Sequence, residues 1–293
     1  MRKFYVDECP ERCPVGEWIK SQLPWQSAIN DVTQSRSKYC SKYARMMNFE
    51  FEFVGDIKGL QDSVSQALDT YGFFGWRNKE YDGEGYGGYS ITYNPNLQYE
   101  DQDIHQSTLG TKLNSVNEFF NGSVQHHKTL KNSYFDGMSF NEFTPAAKIG
   151  YMGKLLEEIN SNITVTRSRL GILKGYAARP ASYHMDSEIF ELVRLNIPIT
   201  GDDSYVFQFD GYEPYSLEVG KAYTWQTKYP HRVMCVRPSE NYRANMVIGL
   251  SPWLTYNKEE RYWYPNEFFG KKHPFDIIID GHVTDKIEFL RWF

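Results

Sequence analysis

Residues 182–199 read SYHMDSEIFELVRLNIPI, a polar segment followed by an apolar run with one internal arginine. From about residue 161 onward the chain repeats such runs, which are rich in β-branched and aromatic residues and end at glycine, aspartate or proline. Several short strands separated by turns predict a jelly roll, a barrel or a sandwich. The runs are ITVTRSRLGILKG (163–175), FELVRLNIPI (190–199), SYVFQF (204–209), YSLEVGKAYTW (215–225), HRVMCVR (231–237) and YRANMVIGLSPW (242–253).

Composition and residue periodicity predict a single domain over residues 1–293. Hydrophobic residues make up 41% and aromatic residues 16%, which allows a large core and is typical of β-rich proteins. Helical periodicity in 14–34, 56–71 and 143–159 predicts a helix-rich region over 1–160. Asp56 and Thr144 are the candidate N-caps of the second and third helices. Residues 161–255 form the β-rich core, and 256–293 form a C-terminal extension.

The net charge and the search for targeting signals limit the classes of partner and the location that we expect for this protein. The net charge is −5, and a broad nucleic-acid surface would need a basic face, so we expect no nucleic-acid partner. MRKFYVDECPERC (1–13) has no apolar signal region, and no run approaches the roughly 18 apolar residues of a membrane span. We therefore expect no membrane association and a reducing cytoplasmic location with free thiols. Cys9 and Cys13 form one isolated pair, which is a weak zinc signal.

GEGYGG (83–88) matches the G-x-G-x-x-G pattern of dinucleotide-binding loops letter for letter. That pattern is informative only between a strand and a helix. Here polar residues precede it and strand-like YSITY follows. We predict a loop rich in tyrosine and glycine, without a dinucleotide.

The opening stretch contains a candidate metal site. His184 and Asp186 are two residues apart, so on an extended strand their side chains point to the same side. A second histidine would complete a facial triad, the pattern that favours non-haem Fe(II). His231 is the histidine within the β-rich part, and a closed antiparallel sandwich can return it beside His184. The alternative is an edge histidine beside an N-capping aspartate.

Arg243 is the twelfth residue after His231, in the otherwise apolar stretch YRANMVIGL. A buried cation normally needs a partner. A jelly-roll strand beginning here can place this guanidinium inside the barrel, facing the metal, where it can make a two-pronged pair with a carboxylate. A structural salt bridge is the alternative.

Taken together, the HMD segment, His231 and Arg243 resemble the Fe(II)/2-oxoglutarate-dependent oxygenases. VRLNIPI (193–199), LEVGKAYTWQTKYPHRV (217–233) and YRANMVIGLSPW (242–253) are similar to the aspartyl/asparaginyl β-hydroxylase branch, which includes cis-proline-hydroxylase-like enzymes. In that branch the first stretch reads Arg-x-His-hydrophobic, and its Arg and His help hold 2-oxoglutarate. Arg194 matches that arginine, whereas Asn196 stands where the branch has histidine.

The resemblance implies a fold, a ligand set and an activity. The fold is mainly β with flanking helices (α+β), around a double-stranded β-helix, a jelly-roll and cupin-like catalytic core. His184, Asp186 and His231 would be the Fe(II) ligands, and Arg243, Arg194 and Asn196 would bind the cosubstrate 2-oxoglutarate. With O₂ the enzyme would hydroxylate a C–H bond, releasing succinate and CO₂. The substrate would be an amino acid, free or as a peptide residue of prolyl or aspartyl/asparaginyl type.

Specificity would come from the region before residue 161. WRNKEYDGEGYGGYSITYNP (76–95) is a candidate wall of the substrate side, with Trp76, Arg77, Tyr93 and Asn94 as candidate contacts. Turn and core roles are equally compatible with these residues.

Two other functions remain open at this point. A non-catalytic cupin-type jelly-roll module could bind a metabolite or sugar by aromatic stacking, and an oxygenase could act on a nucleobase. The complete ligand set with Arg243 disfavours the binding module. The net charge disfavours the nucleobase.

Overall fold

The structure is a computed structural model that describes residues 48–71, 86–93, 140–175, 183–186, 192–227, 229–259, 262–269 and 271–292. Several sequence-based predictions lie outside these ranges: the helix at 14–34, the Cys9–Cys13 pair, and the candidate substrate contacts Trp76, Arg77 and Asn94. No helix within the ranges has the length and apolar character needed to cross a lipid bilayer.

The described elements are mostly strands. In chain order they are β1 (Asn48–Phe53), α1 (Ile57–Tyr71), β2 (Tyr86–Ser90), β3 (Thr92–Tyr93), β4 (Glu142–Phe143), the 3-10 helix η1 (Ala146–Lys148), α2 (Gly150–Asn162), β5 (Val165–Lys174), β6 (Val193–Thr200), β7 (Tyr205–Phe209), β8 (Lys221–Trp225), β9 (His231–Cys235), β10 (Tyr242–Leu250), β11 (Leu254–Asn257), β12 (Tyr262–Pro265), α3 (Pro274–Ile279) and β13 (Ile287–Trp292).

Seven strands form one antiparallel sheet, the large sheet, in the order β13–β1–β8–β6–β10–β5–β2. Because successive side chains of a strand point to opposite faces of the sheet, each strand contributes residues to both faces. On the outer face, Ile172, Ile197 and Ile248 join a core that α1 and α2 complete with residues such as Leu60 and Leu156. The other face, the inner face, lies toward a second sheet. Three of the strands, β1, β2 and β13, come from outside residues 161–255.

The second sheet, the small sheet, is built on the antiparallel pair β7–β9. Single bridges extend it on both sides, from Phe207 to Tyr215 and from His231 to His184. From β5 to β10 the chain therefore alternates between the two sheets. The large sheet contains β5, β6, β8 and β10. The small sheet contains the segments that lie between them, namely residue 184, then β7 with residue 215, and then β9. This alternation is the connectivity of a jelly roll or double-stranded β-helix. The predicted fold class is confirmed.

The predicted helix at 56–71 is confirmed, since α1 covers 57–71 and Asp56 Oδ1 accepts from the backbone N–H of Gly59 at 2.8 Å. The predicted helix at 143–159 is wrong at its start. Thr144 precedes η1 instead, and its Oγ1 accepts from the N–H of Ala147 at 3.3 Å. Gly150 then adopts φ +54, a left-handed conformation that separates η1 from α2.

The predicted loop at GEGYGG is wrong for its last three residues, which belong to β2 and pair with β5. Gly88 lies opposite Gly171 with φ +144, and a Cβ on Gly88 would lie 1.9 Å from the carbonyl oxygen of Leu170. Close approach of two backbones explains the glycines here, because no side chain fits between them.

Gly249 of β10 has the same kind of constraint next to the site strands. A Cβ there would lie 2.0 Å from the carbonyl oxygen of Thr166 and 2.8 Å from Leu192 Cδ1. Gly249→Ala is therefore expected to lower the free energy of unfolding by about 2–3 kcal/mol, since overpacking forces the strands apart. Denaturant unfolding measures the loss. Gly281→Ala is the control: its φ of +77 is strained, but the methyl group meets nothing within 4 Å. Equal losses in both variants would contradict the clash.

Candidate metal centre

The three predicted ligands lie together at one end of the small sheet. His184 and His231 exchange two backbone hydrogen bonds of 3.0 Å, and the N–H of Asp186 donates to the carbonyl of Thr227 at 2.9 Å. The segment 183–186 is thereby held extended beside 227–231. One ligand atom from each of His184, Asp186 and His231 lies within 4.8 Å of the others. The structure therefore brings together residues that are far apart in sequence.

The carboxylate of Asp186 is charged and available. Burial alone would raise its pKa, but Arg194, Arg169, His231 and His184 together hold the pKa well below its usual range. Its Oδ2 lies 3.8 Å from His231 Nε2 and 3.9 Å from Arg194 Nε, both too far for a hydrogen bond. No described residue donates a hydrogen bond to this carboxylate, so its oxygens are free to bind a cation.

The imidazole of His231 is neutral and fixed in one orientation. Burial and the nearby His184 lower its pKa to about 4. Nδ1 lies 2.8 Å from the carbonyl oxygen of Tyr229, so Nδ1 carries the hydrogen and Nε2 presents a lone pair toward Asp186. Phe207 stacks on the ring at 5.6 Å, and Trp225 packs edge-on at 5.9 Å. These contacts give His231 the tautomer that a metal ligand needs.

This donor set fits a divalent transition metal. Two imidazoles and one ionised carboxylate on one side of the barrel match the 2-His-1-carboxylate pattern of non-haem Fe(II) sites. A neutral Nε2 and a carboxylate without hydrogen bonds from described residues are what the cation requires. His184, Asp186 and His231 are thus the residues that would hold it.

Arginines that the sequence analysis did not single out surround Asp186. Arg167 and Arg169 of β5 act electrostatically on Asp186 or on Arg194. Arg167 has φ +46, a strained conformation for a non-glycine residue, and its carbonyl oxygen accepts from Arg194 Nη1 at 2.6 Å. The sequence did contain a feature that could have identified them. Arg167 and Arg169 alternate in the β-rich stretch TRSRLG (166–171), and alternate positions of a strand share one face.

Arg194 is buried, with 4% of its surface exposed. The described carboxylate beside it is Asp186, whose Oδ2 lies 3.9 Å from Arg194 Nε. Burial lowers the pKa of Arg194 to about 9, opposed by Asp186 and assisted by Arg169 and Arg167. The guanidinium remains charged at neutral pH next to the candidate metal centre.

Arg243 lies at the opposite end of the inner face from Arg194, since Arg194 pairs with Gly249 near the far end of β10. It is 6% exposed and is opposite Leu173, which packs with Tyr205 and Cys235 of the small sheet. Its neighbour Ala244 points to the outer-face core. Arg243 therefore lies on the inner face, on the side of the small sheet.

Two asparagines lie on the inner face between Arg194 and Arg243. Asn196 of β6 is opposite Val247, and Asn245 of β10 donates from Nδ2 to Asn196 Oδ1 at 3.0 Å. Asn245 was not predicted from the sequence. The alternation of Arg243 and Asn245 with apolar residues in β10 was the available signal.

Of the four candidate substrate contacts, the structure describes Tyr93. It lies in β3, opposite Glu142 of β4 and half-buried. Tyr223 and Trp225 are buried in an aromatic cluster with Phe207 and Phe209.

No protein-family model matches the chain, and no curated protein matches it. Some solved structures are loosely similar. They include the non-haem α-ketoglutarate-dependent carbocyclase SnoK from nogalamycin biosynthesis (10% identity, 73% of this chain and 83% of that chain, TM-score 0.38). A Pseudomonas putida prolyl-4-hydroxylase has 9% identity over 73% of this chain and 96% of its own, with a TM-score of 0.34.

A prolyl hydroxylase from Trichoplax adhaerens, solved with a hypoxia inducible factor peptide fragment, has 8% identity over 79% and 94% of the two chains, with a TM-score of 0.35. With all three TM-scores below 0.5, we rest the fold on the strand order and the site on its own geometry.

Proposed function

We propose that this protein is an Fe(II)- and 2-oxoglutarate-dependent oxygenase that hydroxylates a C–H bond of an amino acid, either free or within a peptide. The observation that carries the proposal is the convergence of His184, Asp186 and His231 at one end of the small sheet of a double-stranded β-helix, with ligand atoms within 4.8 Å of one another. The ionised Asp186 and the neutral Nε2 of His231 support it. The prolyl and aspartyl/asparaginyl substrate types follow from the sequence resemblance.

The residues divide into three roles. His184, Asp186 and His231 hold the iron, which when bound supplies the activation of O₂ that oxidises 2-oxoglutarate to succinate and CO₂. Arg243 would pair with the far carboxylate of 2-oxoglutarate, at the end of the inner face away from Arg194. Arg194 and Asn196 bind the cosubstrate nearer the metal ligands.

The chain positions the cosubstrate and the metal ligands, and it keeps water away from the buried charge pair. Arg243 is 6% exposed and lies opposite Leu173, and a charge pair at a buried position is stronger than in water. Phe207 and Trp225 keep the His231 ring in one orientation. The region before residue 161, including Tyr93 and the candidate contacts Trp76, Arg77 and Asn94, shapes the substrate side.

The proposal is tested by succinate release. We expect wild-type protein with Fe(II), ascorbate, O₂ and 2-oxoglutarate to release succinate slowly, and faster when its amino-acid or peptide substrate is added. His184→Ala is expected to reduce this release by more than about a hundredfold, since even outer-shell partners of metal sites are worth about 10–100-fold. Wild-type protein that neither binds Fe(II) nor forms succinate would contradict the proposal.

The substrate class is tested in the same assay. Free amino acids, short peptides and nucleosides are compared for stimulation of succinate release, and mass spectrometry identifies a product heavier by one oxygen atom. Stimulation by amino acids or peptides is expected. Stimulation by nucleosides alone would move the activity to nucleobases.

A further inference from the structure

Asn196 and Asn245 form a buried amide pair inside the barrel. Asn245 Nδ2 donates to Asn196 Oδ1 at 3.0 Å, and the two residues are 2% and 3% exposed. Within the described part of the chain, neither Asn196 Nδ2 nor Asn245 Oδ1 has a hydrogen-bond partner. Buried polar groups without partners are costly, so such a pair is typical of a site that a ligand or an ordered water completes.

The pair lies between the two ends of the proposed cosubstrate site. Asn196 is two residues from Arg194 on β6, and Asn245 is two residues from Arg243 on β10. Residues two apart on a strand share a face, so all four side chains belong to the inner face. A dicarboxylate that reaches from the metal ligands to Arg243 would pass the amide pair.

We propose that Asn245 is a positioning residue for the cosubstrate, an inference that rests on the proposed function. By donating to Asn196 Oδ1, Asn245 holds the Asn196 amide with its N–H groups free for a cosubstrate carboxylate. Turning over Asn196 alone would bring two NH₂ groups face to face, so the bond selects one orientation. Asn196 stands where the resembling pattern has histidine, and a rotatable amide needs this second residue to fix it.

Equilibrium binding tests the inference without turnover. Calorimetry under anaerobic conditions measures first the binding of Mn(II), used in place of iron, and then the binding of 2-oxoglutarate. Asn245→Ala is expected to weaken 2-oxoglutarate binding about tenfold, the worth of one hydrogen bond to a charged group, and to leave Mn(II) affinity unchanged. Asn48→Ala is the matched control. Asn48 is a buried asparagine of β1 that donates one hydrogen bond, to Tyr215 Oη at 2.9 Å, and its loss should change neither affinity.

A double-mutant cycle separates positioning from direct contact. Asn196→Ala should weaken 2-oxoglutarate binding about as much as Asn245→Ala, and the double variant should be no weaker than either, because one residue acts through the other. A further loss in the double variant would show that Asn245 contacts the ligand itself and would overturn the positioning role. Unchanged binding in Asn245→Ala would overturn it as well.

Asn245→Asp is the second variant, which keeps the side-chain size if the alanine variant does not fold. An aspartate can only accept from Asn196 Nδ2, so it would turn Asn196 Oδ1 toward the cosubstrate and weaken binding at least about tenfold. Unchanged binding in a folded Asn245→Asp variant would overturn the inference. Wild-type protein that binds Mn(II) but not 2-oxoglutarate would overturn the proposed function, and this inference with it, an outcome distinct from any variant result.

Discussion

Replacing Asp186 with alanine is expected to abolish iron retention and succinate formation. Asp186 is the carboxylate of the ligand cluster, and its charge is secured by Arg194, Arg169 and two histidines. Loss of a ligand should cost more than the about 10–100-fold that supporting residues of metal sites contribute. Iron content after gel filtration and the rate of succinate release measure the two effects.

Two further variants sharpen this prediction. Asp186→Asn keeps the shape and removes the charge, so it should also lose iron, but with less disturbance of the fold. Asp203→Ala removes an exposed carboxylate that pairs with Arg237 on the protein surface, and it should leave iron content and turnover unchanged. Full activity in Asp186→Ala would place the metal elsewhere.

Replacing Arg243 with alanine is expected to raise the 2-oxoglutarate requirement about a hundredfold, because truncating one partner of a buried charge pair costs about 2–5 kcal/mol. Iron binding should remain, because Arg243 lies at the opposite end of the inner face from the ligand cluster. The KM for 2-oxoglutarate and the iron content measure the two properties separately.

Arg243→Lys refines the result. Lysine keeps the charge but loses the two-pronged geometry, so it should recover part of the affinity. Arg237→Ala is the matched control, since Arg237 is an exposed arginine six residues earlier that pairs with Asp203. An unchanged 2-oxoglutarate requirement in Arg243→Ala would show that another cation, such as Arg194, holds the far carboxylate.

The candidate metal-ligand cluster of His184, Asp186 and His231 was predictable from the sequence because it depends on simple rules. His184 and Asp186 share a side through strand periodicity, and His231 was the histidine within the β-rich part. The jelly roll followed from short apolar runs between turn residues. These features are local in sequence or depend only on residue type.

Arg169, Arg167 and Asn245 were not singled out from the sequence because their positions beside other residues depend on the register between strands. Arg169 is opposite Val247, and Asn196 is opposite the same residue on the other side of β10. Sequence patterns predict which positions alternate, but pairing decides which of them meet. The start of α2 was missed for another reason, since the left-handed Gly150 interrupts a favourable helical pattern.

The position of β10 between β5 and β6 limits the amino-acid substitutions that this strand can accept. Its outer side chains fill the main core, while Arg243 and Asn245 occupy the interior on its other side. Gly249 leaves no room even for a methyl group. Nearly every substitution along β10 therefore affects folding, the interior, or both. New specificities would arise more readily from the connecting segments than from this central strand.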